Sequence, residues 1–266
     1  MKLFYREYGE GEPIIITHGL FGMSDNWIPI AKKLAEKYKI YVPDMRNHGN
    51  SPHSDIHTYE AMSRDLFEFI EDKNIEKAIF IGHSMGGKTV LQFAEKFPER
   101  VKKMIIVDIS PALYIPTNEF FKKALNHKLL LENLKNINLN TFKNRAELTA
   151  FVNKNFKNPF LIHLILKNVK KEKSGFVWKI NINAFYDNLS EMRRKIKLSE
   201  NVKNIEILFI FGSNSPYFRG KDKEYIKTHL PKSEIKIIPG AGHLIHIEKE
   251  DYLTNIIKSF TKSKQV

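Results

Sequence analysis

The chain has 266 residues, 42% of them hydrophobic and 27% charged, a balance that supports one large core and excludes intrinsic disorder. It has no cysteine, which excludes a disulfide framework, a thiolate metal site and a cysteine nucleophile. Its formal net charge is +13, an excess that attracts nucleic acid, an anionic surface or an anionic small molecule where it is concentrated, and that reflects bulk composition where it is spread evenly.

Short Ile- and Val-rich runs bounded by turn residues predict buried parallel strands at residues 13–17 (PIIIT), 39–43 (KIYVP), 77–82 (KAIFIG) and 103–108 (KMIIVD). Between them, residues 24–38, 58–73 and 86–97 space their apolar side chains three and four apart, as amphipathic helices do. Strand alternating with helix predicts a parallel sheet with helices on its faces. The alternation stops at residue 112. From 112 to 198 the spacing reads as helical throughout, with helices at 118–134, 145–155, 159–167 and 182–195. Strands resume at 205–212 and 234–239, with helices near 222–229 and 249–260. This predicts one α/β core built from residues 1–111 and 199–266. Residues 112–198 are then a helical lid over the carboxyl edge of the sheet, where open α/β sheets bind their ligands. No apolar run approaches the ~20 residues of a membrane helix. Residues 1–11 lack an apolar signal core, so a cytoplasmic protein without a transmembrane segment is expected.

The strongest chemical signal is Gly82-His83-Ser84-Met85-Gly86-Gly87, directly after one predicted strand and directly before a helix. A G-x-S-x-G sequence in that context is a nucleophile elbow, whose glycines permit a sharp turn and leave Ser84 exposed at the top of the sheet. A serine hydroxyl needs a base to take its proton. His243, in the Gly240-Ala241-Gly242-His243 loop after the last predicted strand, lies at the same sheet edge and is the favoured base. His246 is its rival, expected instead to pack or cap the next helix, and His83 is expected to be structural, with its side chain pointing away from the catalytic side. A carboxylate must orient the imidazole and stabilise its cationic form. The usual position, after the strand ILFIFG, reads Ser213-Asn214-Ser215-Pro216-Tyr217, with no acid before Asp222. Asp108 ends the neighbouring strand, about 4.8 Å across from the serine-bearing one, and can reach a histidine over Ser84. It would otherwise cap the strand end, but without it the triad has no third member. Two oxyanion donors are also required. The backbone N–H of Met85 supplies one, and that of Leu20, in the His18-Gly19-Leu20-Phe21-Gly22 loop after the first strand, is the best candidate for the other.

Taken together, HGLFG at 18–22, DMRNHGNS at 44–51, GHSMGGK at 82–88, VDISP at 107–111, GSNSPY at 212–217 and GAGH at 240–243 resemble the α/β-hydrolase superfamily. More narrowly they resemble a group of small bacterial esterases that cleave acyl esters and acyl-CoA thioesters. The resemblance implies a mostly parallel sheet flanked by helices with an inserted helical lid. It also implies Asp108 as the acid, and Ser215 near the triad as a residue able to hydrogen-bond the aspartate or the histidine. No metal and no cofactor is implied. The serine at position 84 disfavours relatives with an aspartate nucleophile. A lyase or C–C hydrolase of the menaquinone-pathway type is an alternative, and a non-catalytic ligand-binding module is an alternative of another class.

Of the charged residues, 17 Lys and Arg against 6 Asp and Glu fall between 112 and 198, a net +11 of the whole chain's +13. Uniform lysine enrichment does not produce an excess confined to one segment. No zinc spacing, RNP-like sheet or helix-turn-helix signature accompanies it, so nucleic acid is not an expected partner. A basic lid is expected to attract an anionic acyl ester or thioester, with the phosphates of acyl-CoA the leading candidate and peripheral contact with an anionic membrane second.

Overall fold

The computed structural model describes residues 1–113 and 127–262. A seven-stranded sheet runs in the order β1 (Tyr5–Tyr8), β3 (Tyr38–Pro43), β2 (Glu12–Thr17), β4 (Ala78–His83), β5 (Val101–Val107), β8 (Glu206–Gly212), β9 (Glu234–Ile238). Every pairing is parallel except β1 with β3. Six of the strands are those read from the apolar runs. β1 was not among them; it lies antiparallel along β3, with Tyr5 opposite Pro43.

Alternate side chains of the central strands feed two separate cores, as the two-residue period requires. Ile15, Phe80, Met104, Ile106 and Phe209 face α2 (Tyr59–Asp72) and α3 (Met85–Lys96). Ile14, Ile16, Ile79, Ile81, Ile105 and Leu208 face α1 (Ile28–Leu34) and the helix Glu250–Thr261. Both faces are thereby covered, which is why these strands read as continuous apolar runs and not as alternation. Helix α2 starts at Thr58, whose hydroxyl accepts the Ala61 N–H and satisfies one of the unpaired donors of the first turn. Among the described residues no helix is long and apolar enough to cross a membrane.

The segment between β5 and β8 carries helices at His127–Lys135, Arg145–Asn155, Pro159–Lys167, Ile182–Asp187 and Leu189–Arg193. Residues 118–126 of the predicted helix 118–134 lie outside the described residues. The segment is not helical throughout. β6 (Val169–Glu172) and β7 (Gly175–Trp178) form an antiparallel hairpin, with Glu172 opposite Gly175. Gly175 sits at φ 128°, a conformation that L side chains rarely adopt, and it closes the turn after Lys173-Ser174. The hairpin buries Val169 and Phe176 in a third apolar cluster with Leu131, Leu148, Val152, Ile165 and Phe185. Phe21 of the core belongs to the same cluster, so the inserted segment is packed onto the loop that follows β2.

Candidate active site

β4 ends at His83 and α3 begins at Met85, so Ser84 alone turns the chain, at φ 53° and ψ −117°. A non-glycine residue there stores backbone strain, which persists only where the surroundings enforce it. They do: a Cβ on Gly86 would stand 2.5 Å from the Thr17 carbonyl oxygen, and one on Gly82 would stand 2.5 Å from that of Gly86. No side chain fits at either position without prising the elbow apart. Asp108, one strand over, is also left-handed, at φ 55°, and wholly buried.

These two turns and the loop after β9 bring the predicted residues together. His243 Nε2 lies 3.1 Å from Ser84 Oγ, and His243 Nδ1 lies 2.6 Å from Asp108 Oδ2. A carboxylate can only accept, so Nδ1 carries the proton and Nε2 presents its lone pair to the serine hydroxyl. Asp108 receives two further donors: the Gly212 N–H at 2.9 Å and the Ser215 hydroxyl. Ser215 Oγ in turn accepts the Tyr217 N–H at 3.1 Å. The Tyr217 ring stacks on His243 with centroids 4.1 Å apart, a packing partner that the sequence did not single out. Asp222 belongs elsewhere. Arg219 binds it through Nε at 2.6 Å, and it accepts the Ser110 hydroxyl at 2.9 Å, which tethers the chain just beyond Asp108.

His83 corrects one expectation. Its ring does not point away from the catalytic side: Nε2 donates to the His243 carbonyl at 2.8 Å, and the two rings lie 4.7 Å apart. A Cβ on Gly19 would stand 2.8 Å from His83 Nδ1, so the bare backbone of the Gly19 loop makes room for the ring. His246 stacks on Trp27 at 4.8 Å, within the short helix Ile245–Glu248. Burial pushes the His83 imidazole well below its ordinary value, and burial with His243 nearby brings His246 down to about 3.

Leu20 and Met85 line the same cleft as Ser84, and the amide of neither donates to a protein acceptor among the described residues. Two histidines that sequence reasoning left without a role fix the loop bearing Leu20. His18 Nδ1–H donates to the Gly19 carbonyl at 2.8 Å, and its Nε2 accepts the Met45 N–H at 3.0 Å. His48 Nε2 accepts the N–H of Phe21, itself left-handed at φ 62°, at 3.3 Å. Both rings must be neutral to accept, and burial lowers both pKa values. The only sequence signal was that HG and RNHG follow two strands that turn out to be neighbours. Leu20, Ser84, Met85, Ile109, Met192 and Tyr217 line one cleft beside the serine. Among the described residues no group of three or more His, Asp or Glu is arranged to hold a metal ion.

A serine, a histidine and an aspartate joined by hydrogen bonds at the carboxyl edge of a mostly parallel sheet, with the serine on a strand-to-helix elbow, define the α/β-hydrolase class. The chain belongs to the alpha/beta hydrolase fold family, whose model matches residues 12–250. It is 34% identical to the sn-1-specific diacylglycerol lipase ABHD11 of Xenopus tropicalis, over 95% of this chain and 79% of that protein. It is 29% identical to Esterase YbfF of Escherichia coli, over 93% of this chain and 92% of that one. Among solved structures, a marine microorganism esterase superposes with a TM-score of 0.91 at 38% identity, over 97% of this chain and 99% of its own.

Proposed function

We propose that the protein is a serine hydrolase that cleaves carboxylic esters, and acyl thioesters with them, through an acyl-enzyme. The observation that carries this reading is the pair of hydrogen bonds, 3.1 and 2.6 Å, that link Ser84 to His243 and His243 to Asp108. Relatives named as esterases and as a lipase support the ester side.

In this mechanism Ser84 Oγ attacks the acyl carbonyl while His243 Nε2 takes the hydroxyl proton. The carbonyl oxygen becomes an oxyanion and is met by the Leu20 and Met85 amides. As the tetrahedral intermediate collapses, His243 returns the proton to the departing alcohol or thiol. Water then attacks the acyl-enzyme by the same route in reverse, and the acid leaves. Asp108 holds the imidazole in the tautomer that can accept and stabilises the imidazolium; Ser215 and the Gly212 amide hold Asp108. Residues 112–198 act as the lid, and their basic excess draws an anionic acyl substrate toward the cleft.

Two substrate series test this. Release of p-nitrophenol from esters of increasing chain length, and of thiol from acyl-CoAs, should both be seen, and both should disappear in Ser84→Ala. The acyl-CoA kcat/KM should fall with ionic strength while that of a neutral ester barely changes. Equal salt responses would remove the anionic substrate from the proposal, and turnover of neither series would remove the hydrolase.

A further inference from the structure

Lys88 plays no part in the proton chain, yet it is only 1% exposed. It stands one turn along α3 from Ser84, and its own N–H donates to the Ser84 carbonyl at 3.2 Å. The side-chain ammonium donates to three carbonyl oxygens: Ala112 at 3.0 Å, Arg194 at 2.5 Å and Arg193 at 3.4 Å. Three acceptors use all three of its N–H groups. No carboxylate lies within ion-pairing distance of it among the described residues. Burial, with the Arg194 guanidinium nearby, brings its pKa down to about 7. An apolar side chain would fill this space without the heavy cost of a buried amine, so the three acceptors are what the amine serves.

What those acceptors share is their place in the chain. Ala112 lies where the chain leaves the core for the inserted segment, and Arg193 and Arg194 lie where it returns. The two stems touch directly, the Ile196 N–H donating to the Pro111 carbonyl at 2.8 Å. Other anchors hold the returning stem alone: the Tyr59 hydroxyl donates to the Met192 carbonyl at 2.8 Å, and Arg194 binds Gln92 at 3.1 Å as well as Glu60. Lys88 holds both stems at once.

We propose that Lys88 is a positioning residue that clamps both stems of the inserted segment to the helix carrying the nucleophile, and so sets how far the lid side of the cleft stands from Ser84. This rests on the hydrolase reading above. The returning stem bears Met192 and Arg193, which line the cleft, whereas the Leu20 and Met85 amides belong to the core. Loss of the clamp therefore shifts the wall and leaves the oxyanion donors in place.

The experiment compares the full-length protein with Lys88→Met and Lys88→Arg. One arm measures kcat and KM for p-nitrophenyl acetate and octanoate; the other measures hydrogen exchange at the Ile196 amide. Lys88→Met should raise the octanoate KM about tenfold, as loss of hydrogen bonds to both stems implies, with less than a threefold effect on acetate. The Ile196 amide should exchange at least tenfold faster, and Lys88→Arg, which keeps donors in reach, should recover part of both effects. Equal changes for the two esters with wild-type exchange at Ile196 would overturn the clamp. If Lys88→Met does not fold, Lys88→Gln carries the same comparison. Failure of the hydrolase reading would appear separately, as an inactive wild-type protein whose Ile196 exchange still depends on Lys88.

Discussion

Replacing Asp108 by Asn removes one charge and inverts one hydrogen bond, and the structure says which. Oδ1 accepts the Gly212 N–H at 2.9 Å, while Oδ2 accepts both the Ser215 hydroxyl and His243 Nδ1–H at 2.6 Å. An asparagine keeps its oxygen on Gly212 and must turn its NH2 group toward His243. Nδ1 then has to accept, the imidazole proton moves to Nε2, and Nε2–H points at Ser84 Oγ where a lone pair is needed. The base is lost without disturbing the packing. The same tautomer error in a serine protease triad costs about 10,000-fold in kcat, or about 5.5 kcal/mol of barrier. In Asp222→Asn the triad bonds are untouched, while Arg219 and Ser110 lose their carboxylate; its expected signature is a lower Tm with kcat nearly unchanged. The assay is p-nitrophenyl acetate turnover at pH 7.5, well below either variant's Tm. An Asp108→Asn enzyme within tenfold of wild type, or an Asp222→Asn enzyme as impaired as Asp108→Asn, would refute the reasoning.

Three further outcomes are expected. Ser215→Ala should lower kcat about tenfold while leaving the fold intact, because Asp108 loses one charge-assisted donor; turnover within twofold of wild type would show that Ser215 only supports the loop. Acid should destabilise the protein from about pH 6.5 downward, since His57 and His246 stay neutral when folded, each with a pKa of about 3. The unfolded chain takes up those protons first, so the stability these groups contribute is full above pH 6.5 and is lost as pH falls toward 3. Between pH 7.5 and 5.5 the two together cost about 3 kcal/mol. His18, His48 and His83 shift in the same direction, and a Tm equal at the two pH values would contradict this. Gly86→Ala should yield little folded protein, because the added methyl meets the Thr17 carbonyl at 2.5 Å; a soluble, active variant would show that the elbow has slack.

What could be read from the sequence was what short-range chemistry encodes. Parallel strands buried on both faces announce themselves as runs such as PIIIT, and Ser84, Asp108 and His243 each sit where such a run ends. β1 escaped because Tyr5-Arg6-Glu7-Tyr8 has no apolar run; it becomes a strand by pairing with β3 and packing Tyr5 on Phe69 at 5.3 Å. The hairpin of β6 and β7 escaped because its strands are only four residues each, VKKE and GFVW, and leave only Gly175 as a turn signal. His48 acts on Phe21 across 27 residues, and Lys88 acts on Arg194 across 106. Neither partnership has any local pattern. His83 was misplaced for a similar reason: strand alternation alone does not reveal that Gly19, from another strand's loop, leaves space for its ring.

The proposed activity rests on Ser84 being a nucleophile activated by His243. Incubation of the folded protein with a fluorophosphonate probe, followed by peptide mass mapping, tests this directly. Stoichiometric labelling on Ser84, suppressed in His243→Ala and absent in Ser84→Ala, is the predicted result. A folded wild-type protein left unlabelled at Ser84, or labelled equally fast without His243, would contradict it.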